Sequence, residues 1–463
     1  MEEDHNNHNN NSRRLEEKDE EDRLSSLPDV IINDILSLLP IKSAAATSVL
    51  SHRWRHLWTG VTRFEFESRT WPESASLFRI LCRLTYRDKL RTFTLILDDS
   101  SAISWGDLKR SFSVVCRQNV EEIKVISNTP LPRCVFKCES LVVLDLGSVL
   151  HCRLLKADKI RLPNLNKLRL CLPDESVPVI PAVFISSPLL QDLCLEFHSL
   201  KQKHVVNISS PNLKSLDIVQ MVCPHQHSAF LINTPNLTNI KIRDSSSFYV
   251  FVQNPAQLLT AYIDFMYGKH ESWDEDLMSA ADYFDENAKF VQGMSSARKL
   301  HLQSDIQIFA HLNPPENGMI PTLHNLTYFK TTLVNVFNGW DALLFYLQGV
   351  PNLNDLEVSL GHNPAMDHQY WCAPDCLVSK VKTITVRAFE GNDDELKLLE
   401  YILKNAFVLE ELRIHVRIKD DHIEARQGKE YKFCEAMFKL PRSSLTSEVV
   451  FSGQYINASS NSL

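Results

Sequence analysis

The sequence predicts an α/β protein in which a small N-terminal helical module precedes an irregular repeat solenoid with a parallel sheet and a C-terminal α/β cap. Two patterns indicate this. A unit of the form L-x-x-L-x-L recurs along most of the chain, and residues 24–60 hold apolar side chains at helical spacing. Glycine is scarce, at 12 of 463 residues, and no glycine-rich phosphate-binding loop or nucleophile elbow occurs. We therefore expect no catalytic residue and no cofactor.

The repeats of the central block are spaced as in leucine-rich repeats. Their starts lie 21 to 25 residues apart, at Leu141, Leu165, Leu190, Leu213, Leu237 and Leu258. The last two leucines of a unit are two positions apart and so share one face of a strand, and stacked strands form a parallel sheet over an aliphatic core. Further copies start at Leu90, Val120, Ala297, Leu323, Leu353, Val381 and Leu409. The asparagine or cysteine that usually follows the strand is mostly absent, which predicts limbs of uneven length.

Two local patterns interrupt the repeats. Pro-Asn pairs precede several strands and predict turns there. Residues 269–292 combine an acidic run with apolar residues at helical spacing, which predicts an acidic amphipathic helix inserted into one repeat. Such a helix presents either a solvated face or a contact for a partner, and the pattern leaves both open.

The N-terminal module is short and rich in apolar residues. Ser26 and Asp29 have the spacing of a capping box, a first helix is expected to end at Pro40, and a second helical pattern runs from Leu50 to Trp58. A unit of roughly 40 residues rarely buries enough surface to be stable alone. The module therefore packs on the rest of the chain or is covered by a partner.

The module resembles an F-box of the plant type in segments 27–29 (LPD), 35–37 (ILS), 39–42 (LPIK) and 49–58 (VLSHRWRHLW). The resemblance implies a helical bundle that docks on a Skp-type adaptor, which in turn holds a cullin. Carried over by position, the adaptor-binding candidates are Leu27, Pro28, Ile32, Leu36, Leu39, Val49, Leu50 and Trp54.

A second resemblance lies at the C-terminus. Segments 393–396 (DDEL), 400–406 (EYILKNA), 409–412 (LEEL), 440–444 (LPRSS) and 448–451 (EVVF) resemble the FBD region of plant F-box proteins. Helices at about 393–406 and 428–438 and strands near 409–416 and 447–451 are expected to cap the solenoid. The expected domains are a disordered acidic tail (1–22), the F-box (23–62), leucine-rich repeats (85–370), FBD-like repeats and cap (371–452) and a disordered tail (453–463).

Polar side chains between the leucines are expected to point outward along one face of the sheet. As a set they form the default surface for a target protein, although any one of them is more simply a solvated side chain. The target-binding candidates are Lys167, Arg169, Asp192, Glu196, Asp217, Lys241, Arg243, Asp355, Glu357 and Arg413.

Charge, hydropathy and cysteine content argue against some classes of partner and indicate a cellular compartment. Residues 1–22 hold nine acidic and three basic residues, a net charge of −6 out of −8 for the whole chain. The remainder has no basic stripe, which argues against nucleic acid, and no apolar run is long enough to span a membrane. His368, Cys372 and Cys376, and the pair Cys134 and Cys138, lack the four-ligand spacing of a zinc site. Eleven scattered cysteines fit the cytosol or nucleus.

These observations predict a substrate-recognition subunit of a Skp–cullin–F-box ubiquitin ligase, with the F-box on the adaptor and the repeats on a target protein. The alternative is a non-catalytic repeat scaffold, or a receptor for a small ligand, with a non-functional F-box.

Overall fold

The structure, a computed structural model, describes most of the chain. The described residues are 24, 26–70, 77–84, 90–98, 103–147, 160–172, 174–197, 202–220, 228–244, 247–265, 289–303, 322–333, 339–360, 372–390, 393–418 and 423–460. The predicted tail 1–22, His368 and residues 269–288 of the predicted acidic helix lie outside them.

The described helices form the N-terminal module, several return limbs and the C-terminal cap. They are α1 (Asp29–Ser37), α2 (Ile41–Ala46), α3 (Leu77–Leu84), α4 (Trp105–Arg117), α5 (Ile180–Ser186), α6 (Gly339–Gln348), α7 (Asp375–Ser379), α8 (Asp393–Asn405) and α9 (Ile423–Phe438). Short 3₁₀ helices cover Thr47–Val49, Trp54–Gly60, Ser68–Thr70, Val135–Lys137 and Asp174–Val179.

Sixteen strands form the main sheet. In spatial order they are β1 (Arg63–Glu67), β2 (Thr92–Ile96), β3 (Glu122–Ile126), β4 (Val143–Leu146), β5 (Lys167–Leu172), β6 (Asp192–Phe197), β8 (Ser215–Gln220), β10 (Asn239–Asp244), β12 (Thr260–Phe265), β13 (Lys299–Leu302), β14 (Tyr328–Leu333), β15 (Asp355–Leu360), β16 (Thr383–Phe389), β17 (Glu411–Val416), β18 (Glu448–Ser452) and β19 (Asn457–Ser459). All neighbouring pairs are parallel except β18 with β19. The predicted parallel solenoid is confirmed.

The leucine pattern builds the core as expected. Along β6 the side chains alternate between half-buried and buried, and the buried set includes Leu193 and Leu195. Position by position, Leu168 pairs with Leu193, and Leu193 with Leu216, so the apolar rows run continuously across strands. One repeat start is corrected: β14 pairs with β15 so that Leu326, not Leu323, is equivalent to Leu353.

A second, three-stranded parallel sheet covers part of the inner face of the main sheet. It consists of β7 (Val205–Ser209), β9 (Ala229–Asn233) and β11 (Phe248–Phe251). Phe230 and Tyr249 stack with ring centroids 5.0 Å apart, and they meet Phe197 and Phe265 of the main sheet at 5.5 and 6.0 Å. Aromatic packing therefore joins the two sheets, since such pairs add stability beyond their buried area.

The asparagines of four Pro-Asn turns, together with Asn325 after His324, form a side-chain ladder between repeats. Each carboxamide donates from Nδ2 to a backbone carbonyl of the preceding repeat, at 2.8 to 3.1 Å. The donors are Asn164, Asn212, Asn236, Asn325 and Asn352, and the acceptors are Glu139, Pro188, Pro211, Ser295 and His324. An asparagine ladder thus exists before the strands, although the sequence pattern predicted only turns.

The C-terminal cap agrees with its expected helices and strands, and α9 begins five residues before its predicted start. The expected disordered tail at 453–463 is corrected, because β19 pairs with β18. Glu430 of α9 fixes the intervening turn: its buried carboxylate accepts backbone N–H groups of Gln454, Tyr455 and Ile456 at 3.2, 2.9 and 2.7 Å.

Candidate protein-binding surfaces

Helix α1 of the N-terminal module is apolar on two sides, but only one side is buried. At about 100° per residue, Val30, Ile31, Ile35 and Leu38 fall within an arc of roughly 140°. They are 38% to 78% exposed. Ile32 and Leu36 lie outside that arc and are 0% and 1% exposed. The chain's own core thus covers one side of α1 and leaves the other to solvent.

The segment after α2 adds to this exposed set. Val49 is 86% exposed and Leu50 63%, and Leu39, at the end of α1, is 41% exposed. We call Val30, Ile31, Ile35, Leu38, Leu39, Val49 and Leu50 together the apolar surface of the module. Exposed apolar residues at this density are unusual for a monomer and typical of a protein-binding site.

Three of the predicted adaptor-binding residues lie in the interior of the module. Trp54, at the start of the 3₁₀ helix Trp54–Gly60, is 3% exposed and belongs to the core with Ile32 and Leu36. A Cβ at Gly60 would lie 2.5 Å from Asn33 Nδ2, so this helix packs directly on α1. In this conformation Ile32, Leu36 and Trp54 have no surface to offer the adaptor. Their expected role as interface residues is therefore replaced by one in the core.

Leu27 and Pro28 lie where the chain enters the module. Pro28 is exposed and Leu27 is half-buried. Pro28 is the N-cap of α1 and Asp29 lies in its first turn, and the capping box of Ser26 and Asp29 stays a prediction. Arg53 donates from Nη2 to Asp29 Oδ1 at 2.8 Å and to the Leu27 carbonyl at 2.5 Å.

The strand face, our name for the outward side chains of β1 to β18, brings the predicted target-binding residues into ordered rows. One row contains Asp145, Arg169, Cys194, Asp217, Lys241, Tyr262, His301, Lys330, Glu357, Thr385 and Arg413. A neighbouring row contains Lys167, Asp192, Ser215, Tyr328 and Asp355. Glu196 and Arg243 lie in a third row, two residues further along their strands.

An ion-pair cluster occupies the strand face at β4 to β6. Arg169 donates to Glu196 Oε1 from Nη2 at 2.7 Å and from Nε at 3.0 Å, and its Nη1 lies 3.9 Å from Asp145. Lys167 and Asp192 pair at 3.0 Å. Burial would lower the pKa of Arg169, but the hydrogen bond to Glu196 raises it. Exposed pairs of this kind contribute little stability and mainly fix side-chain orientation.

A second cluster, at β14 to β16, centres on Glu357. Its carboxylate accepts from Lys330 Nζ at 2.9 Å, Arg387 Nε at 2.6 Å and Tyr328 Oη at 2.8 Å. Burial alone would raise the pKa of Glu357, but these hydrogen bonds outweigh it and lower the pKa to about 2. Burial and the bond to Glu357 raise the pKa of Tyr328 to about 12. Glu357 is therefore ionised and fixed at neutral pH.

Aromatic rings lie between the two charged clusters. The Tyr262 and His301 ring centroids are 6.0 Å apart, and those of His301 and Tyr328 are 5.3 Å apart. Lys241 Nζ lies 5.4 Å from the Tyr262 ring centroid, within the range of a cation–π contact. Burial, with Lys330 nearby, lowers the pKa of His301, which favours the neutral imidazole. We call Tyr262, His301 and Tyr328 the aromatic strip.

Beside the aromatic strip, two polar atoms of the strand face are shielded from water. Asp217 Oδ1 and Arg243 Nε have no hydrogen-bond partner among the described residues. Burial raises the pKa of Asp217, against the attraction of Lys241 and Arg243. Shielded polar groups without a partner cost free energy, so Asp217 and Arg243 are held there at some expense of stability.

The remaining predicted residues are less central. Arg413 bonds to Glu411 within its own strand at 2.6 and 2.7 Å, and Asp355 accepts from the Thr383 hydroxyl. The aromatic strip and Lys330 were not predicted. Their signal was present, because Tyr262 and His301 stand between the apolar residues of weaker repeat copies, but alanines replace leucines there.

Cysteines and histidines do not assemble into a metal centre within the described part of the chain. Cys138 lies near Cys116 and donates to its carbonyl at 3.7 Å, while the buried Cys376 donates to the Leu347 carbonyl at 3.2 Å. For the described residues, no helix has the length and apolar character to cross a bilayer.

Three family profiles match separate parts of the chain. The F-box domain matches residues 24–66, the repeats of "FBD-associated F-box protein At5g56370, LRR repeats" match 108–250, and FBD matches 369–414. The three matches follow one another along the chain in the same order as the helical module, the repeat strands and the C-terminal cap. The chain therefore carries an F-box, leucine-rich repeats and an FBD region, and it is similar to the F-box/FBD/leucine-rich-repeat proteins.

Relatives that match most of its length are named for an F-box and leucine-rich repeats, and two of the three below also for an FBD. F-box/FBD/LRR-repeat protein At5g22660 of Arabidopsis thaliana is 25% identical, over 88% of this chain and 92% of its own length. F-box/LRR-repeat protein At3g59200 is 27% identical, over 85% and 82%, and F-box/FBD/LRR-repeat protein At5g56420 is 25% identical, over 93% and 99%, both also from Arabidopsis thaliana. The F-box implies binding to a Skp-type adaptor, and such proteins are in general non-catalytic adaptors.

Proposed function

We propose that this F-box/FBD/leucine-rich-repeat protein is the substrate-recruiting subunit of a Skp–cullin–F-box ubiquitin ligase. The apolar surface of the module carries the proposal. It lies on the segment matched by the F-box domain and remains exposed after the rest of the chain has folded. A Skp-type adaptor would bury this surface, and through the adaptor the protein would reach a cullin.

The strand face would hold the target protein. Its aromatic strip supplies large, orientable side chains of the kind that dominate binding energy at interfaces. The flanking charged clusters are held in place by their own hydrogen bonds and so present a fixed pattern of charge, which favours specificity. Catalysis would follow from proximity, because binding raises the concentration of target lysines near the ubiquitin-charged enzyme.

The cytosol or nucleus is the proposed location. All nine cysteines within the described residues are free thiols, as expected in a reducing compartment. Imaging of a fluorescent fusion tests this, and a fusion confined to the secretory pathway would contradict it.

Adaptor binding tests the first half of the function. The full chain is co-expressed with a Skp-type adaptor and analysed by size-exclusion chromatography, beside Val49→Asp and a matched control, Ile185→Asp. Val49 and Ile185 are 86% and 85% exposed, but Ile185 lies on α5 of the repeats. We expect co-elution for wild type and control and none for Val49→Asp. Wild type that elutes without the adaptor would favour a free-standing repeat scaffold.

Target recruitment tests the second half. Ubiquitinated lysines are quantified in proteasome-inhibited cells that express wild type, Val49→Asp, or Tyr262→Ala with Tyr328→Ala. A target loses ubiquitin in both variants, because one breaks the link to the ligase and the other the link to the target. No protein with this double dependence would mean that the strand face does not recruit substrates.

A further inference from the structure

A cleft of about 710 Å³ opens between the N-terminal module and α3, the first helix of the repeat region. Its volume is within the range of sites that bind ligands. The cleft is lined by Ala45, Ser48, Arg55, His56, Trp58, Thr59 and Arg83. Four elements therefore meet there: α2, the 3₁₀ helix Thr47–Val49, the 3₁₀ helix Trp54–Gly60, and α3.

The cleft is basic in a chain that is acidic as a whole. From Ile35 to Phe64 there is no Asp or Glu, and α3 adds Arg79 and Arg83 without an acid. Among the described residues, Arg55 and Arg83 form no ion pair, whereas the adjacent Arg53 pairs with Asp29. Guanidinium groups bind carboxylates in bidentate fashion, so two unpaired ones in one cleft favour an acidic ligand.

The N-terminal tail is joined to the module through Leu27, which contacts a neighbour in sequence of the cleft residue Arg55. Arg53 holds the Leu27 carbonyl, and Arg53 is only two residues before Arg55. The most acidic part of the chain, residues 16–22 (EEKDEED), ends five residues before Leu27. Five extended residues span about 17 Å, so this segment is tethered within reach of the cleft.

We propose that the cleft binds an acidic peptide, and that in the free protein this peptide is residues 16–22 of the same chain. The Asp and Glu carboxylates would pair with Arg55 and Arg83, and the tether raises their effective concentration to about the millimolar range. Ser48 lines the cleft and Val49 belongs to the apolar surface of the module, so the tail would lie at the edge of that surface. A protein partner with an acidic segment would have to displace it.

Carbodiimide coupling, which joins a carboxylate to a lysine amine, tests the contact in the full chain. Arg55→Lys and Arg83→Lys keep the positive charge and supply amines in the cleft. Arg298→Lys is the matched control, since Arg298 is exposed and precedes β13, nine strands from β1, roughly 43 Å away. Mass spectrometry then quantifies peptides that join residues 1–22 to each new amine, with circular dichroism as a check of folding.

We expect at least tenfold more coupling of the tail at positions 55 and 83 than at 298. The yield should fall steeply at 0.5 M salt, where charges are screened beyond a few ångströms, and on addition of a synthetic peptide of residues 12–22. Equal coupling at all three positions would overturn the proposal. Binding of an added Glu-rich peptide without coupling to the tail would assign the cleft to a partner's acidic segment, and would equally exclude residues 16–22 as its occupant.

Discussion

The two candidate protein-binding surfaces differ in how far the chain's own residues already contact their side chains. In the N-terminal module, Val49 and Leu38 are exposed with no apolar cover, whereas on the strand face Glu357 and Arg169 already have partners within the chain. An uncovered apolar surface gains free energy from almost any well-fitting apolar partner. A surface whose charges are already paired gains little binding free energy from burial alone. It distinguishes between partner proteins by how well their charges match its own. The first suits one invariant partner, and the second suits selection among many.

The largest expected effect comes from placing a charge on the apolar surface of the module, which tests how this surface differs from the strand face. Leu38→Asp with Val49→Asp would bury unpaired carboxylates in the adaptor interface, so we expect adaptor affinity to fall by more than about 100-fold. Because both side chains are largely exposed, the urea midpoint should stay nearly unchanged. Isothermal titration and urea unfolding measure the two effects. A loss of stability as large as the loss of affinity would show that these residues support the fold.

The opposite pattern is expected for a buried residue of the same helix. Leu36→Ala removes a core side chain and should lower the free energy of unfolding by about 2 to 5 kcal/mol. Adaptor affinity measured below the unfolding transition should change much less than for the exposed pair. If Leu36→Ala instead abolishes binding in a fully folded protein, the adaptor contacts the side of α1 that is buried here.

The ladder between repeats permits a smaller test. Asn236→Ala removes the bond from Nδ2 to the Pro211 carbonyl, at 2.8 Å, and should destabilise the chain by about 0.5 to 1.5 kcal/mol. Asn239→Ala is the control, since Asn239 is also exposed and its side chain, among the described residues, bonds only to the neighbouring Thr238 hydroxyl. Equal urea midpoints for the two variants would mean that the ladder adds no stability.

The smallest effect concerns pH at Glu357. Its pKa of about 2 is below the usual value of 4.5, so its ionised form stabilises the fold at neutral pH. This contribution is complete above about pH 4.5 and is lost as pH falls towards 2. Between about pH 4.5 and pH 2, the free energy of unfolding should therefore fall less in Glu357→Gln than in wild type. The difference should be about 1 kcal/mol or less, as for other partly exposed ion pairs. An unchanged acid limb would contradict the assignment.

The sequence predicted the fold better than the surfaces. L-x-x-L-x-L specifies strand, face and parallel stacking because each repeat contacts only its neighbours. It also predicted Lys167, Arg169, Asp192 and Glu196 on one face. The register pairs Lys167 with Asp192, and Arg169 reaches Glu196 diagonally. In the N-terminal module, apolar residues at helical spacing placed Ile32, Ile35 and Leu36 on one helix. It gave no means of telling which side the chain itself covers, because α1 is apolar on most sides.

What the sequence missed depends on contacts between distant residues. Asn236 was recognised as a turn residue, but its acceptor, Pro211, lies 25 residues earlier. The aromatic strip unites Tyr262, His301 and Tyr328 from three repeats of unequal length, and its register follows only from strand pairing. Glu430 appeared to be an ordinary helix residue, although its carboxylate closes the last turn of the chain.

The direct passage from the module into the sheet has a further consequence. β1 begins three residues after Gly60, and the Thr62 backbone N–H donates to the Ser37 hydroxyl of α1 at 2.9 Å. Within the described residues, there is thus no long linker between the apolar surface of the module and the first strand. A protein held on the strand face would therefore lie at a fixed distance from the N-terminal module and in a fixed orientation relative to it. Which of its lysines receive ubiquitin would then depend on where they fall in space, and hardly on the residues around them.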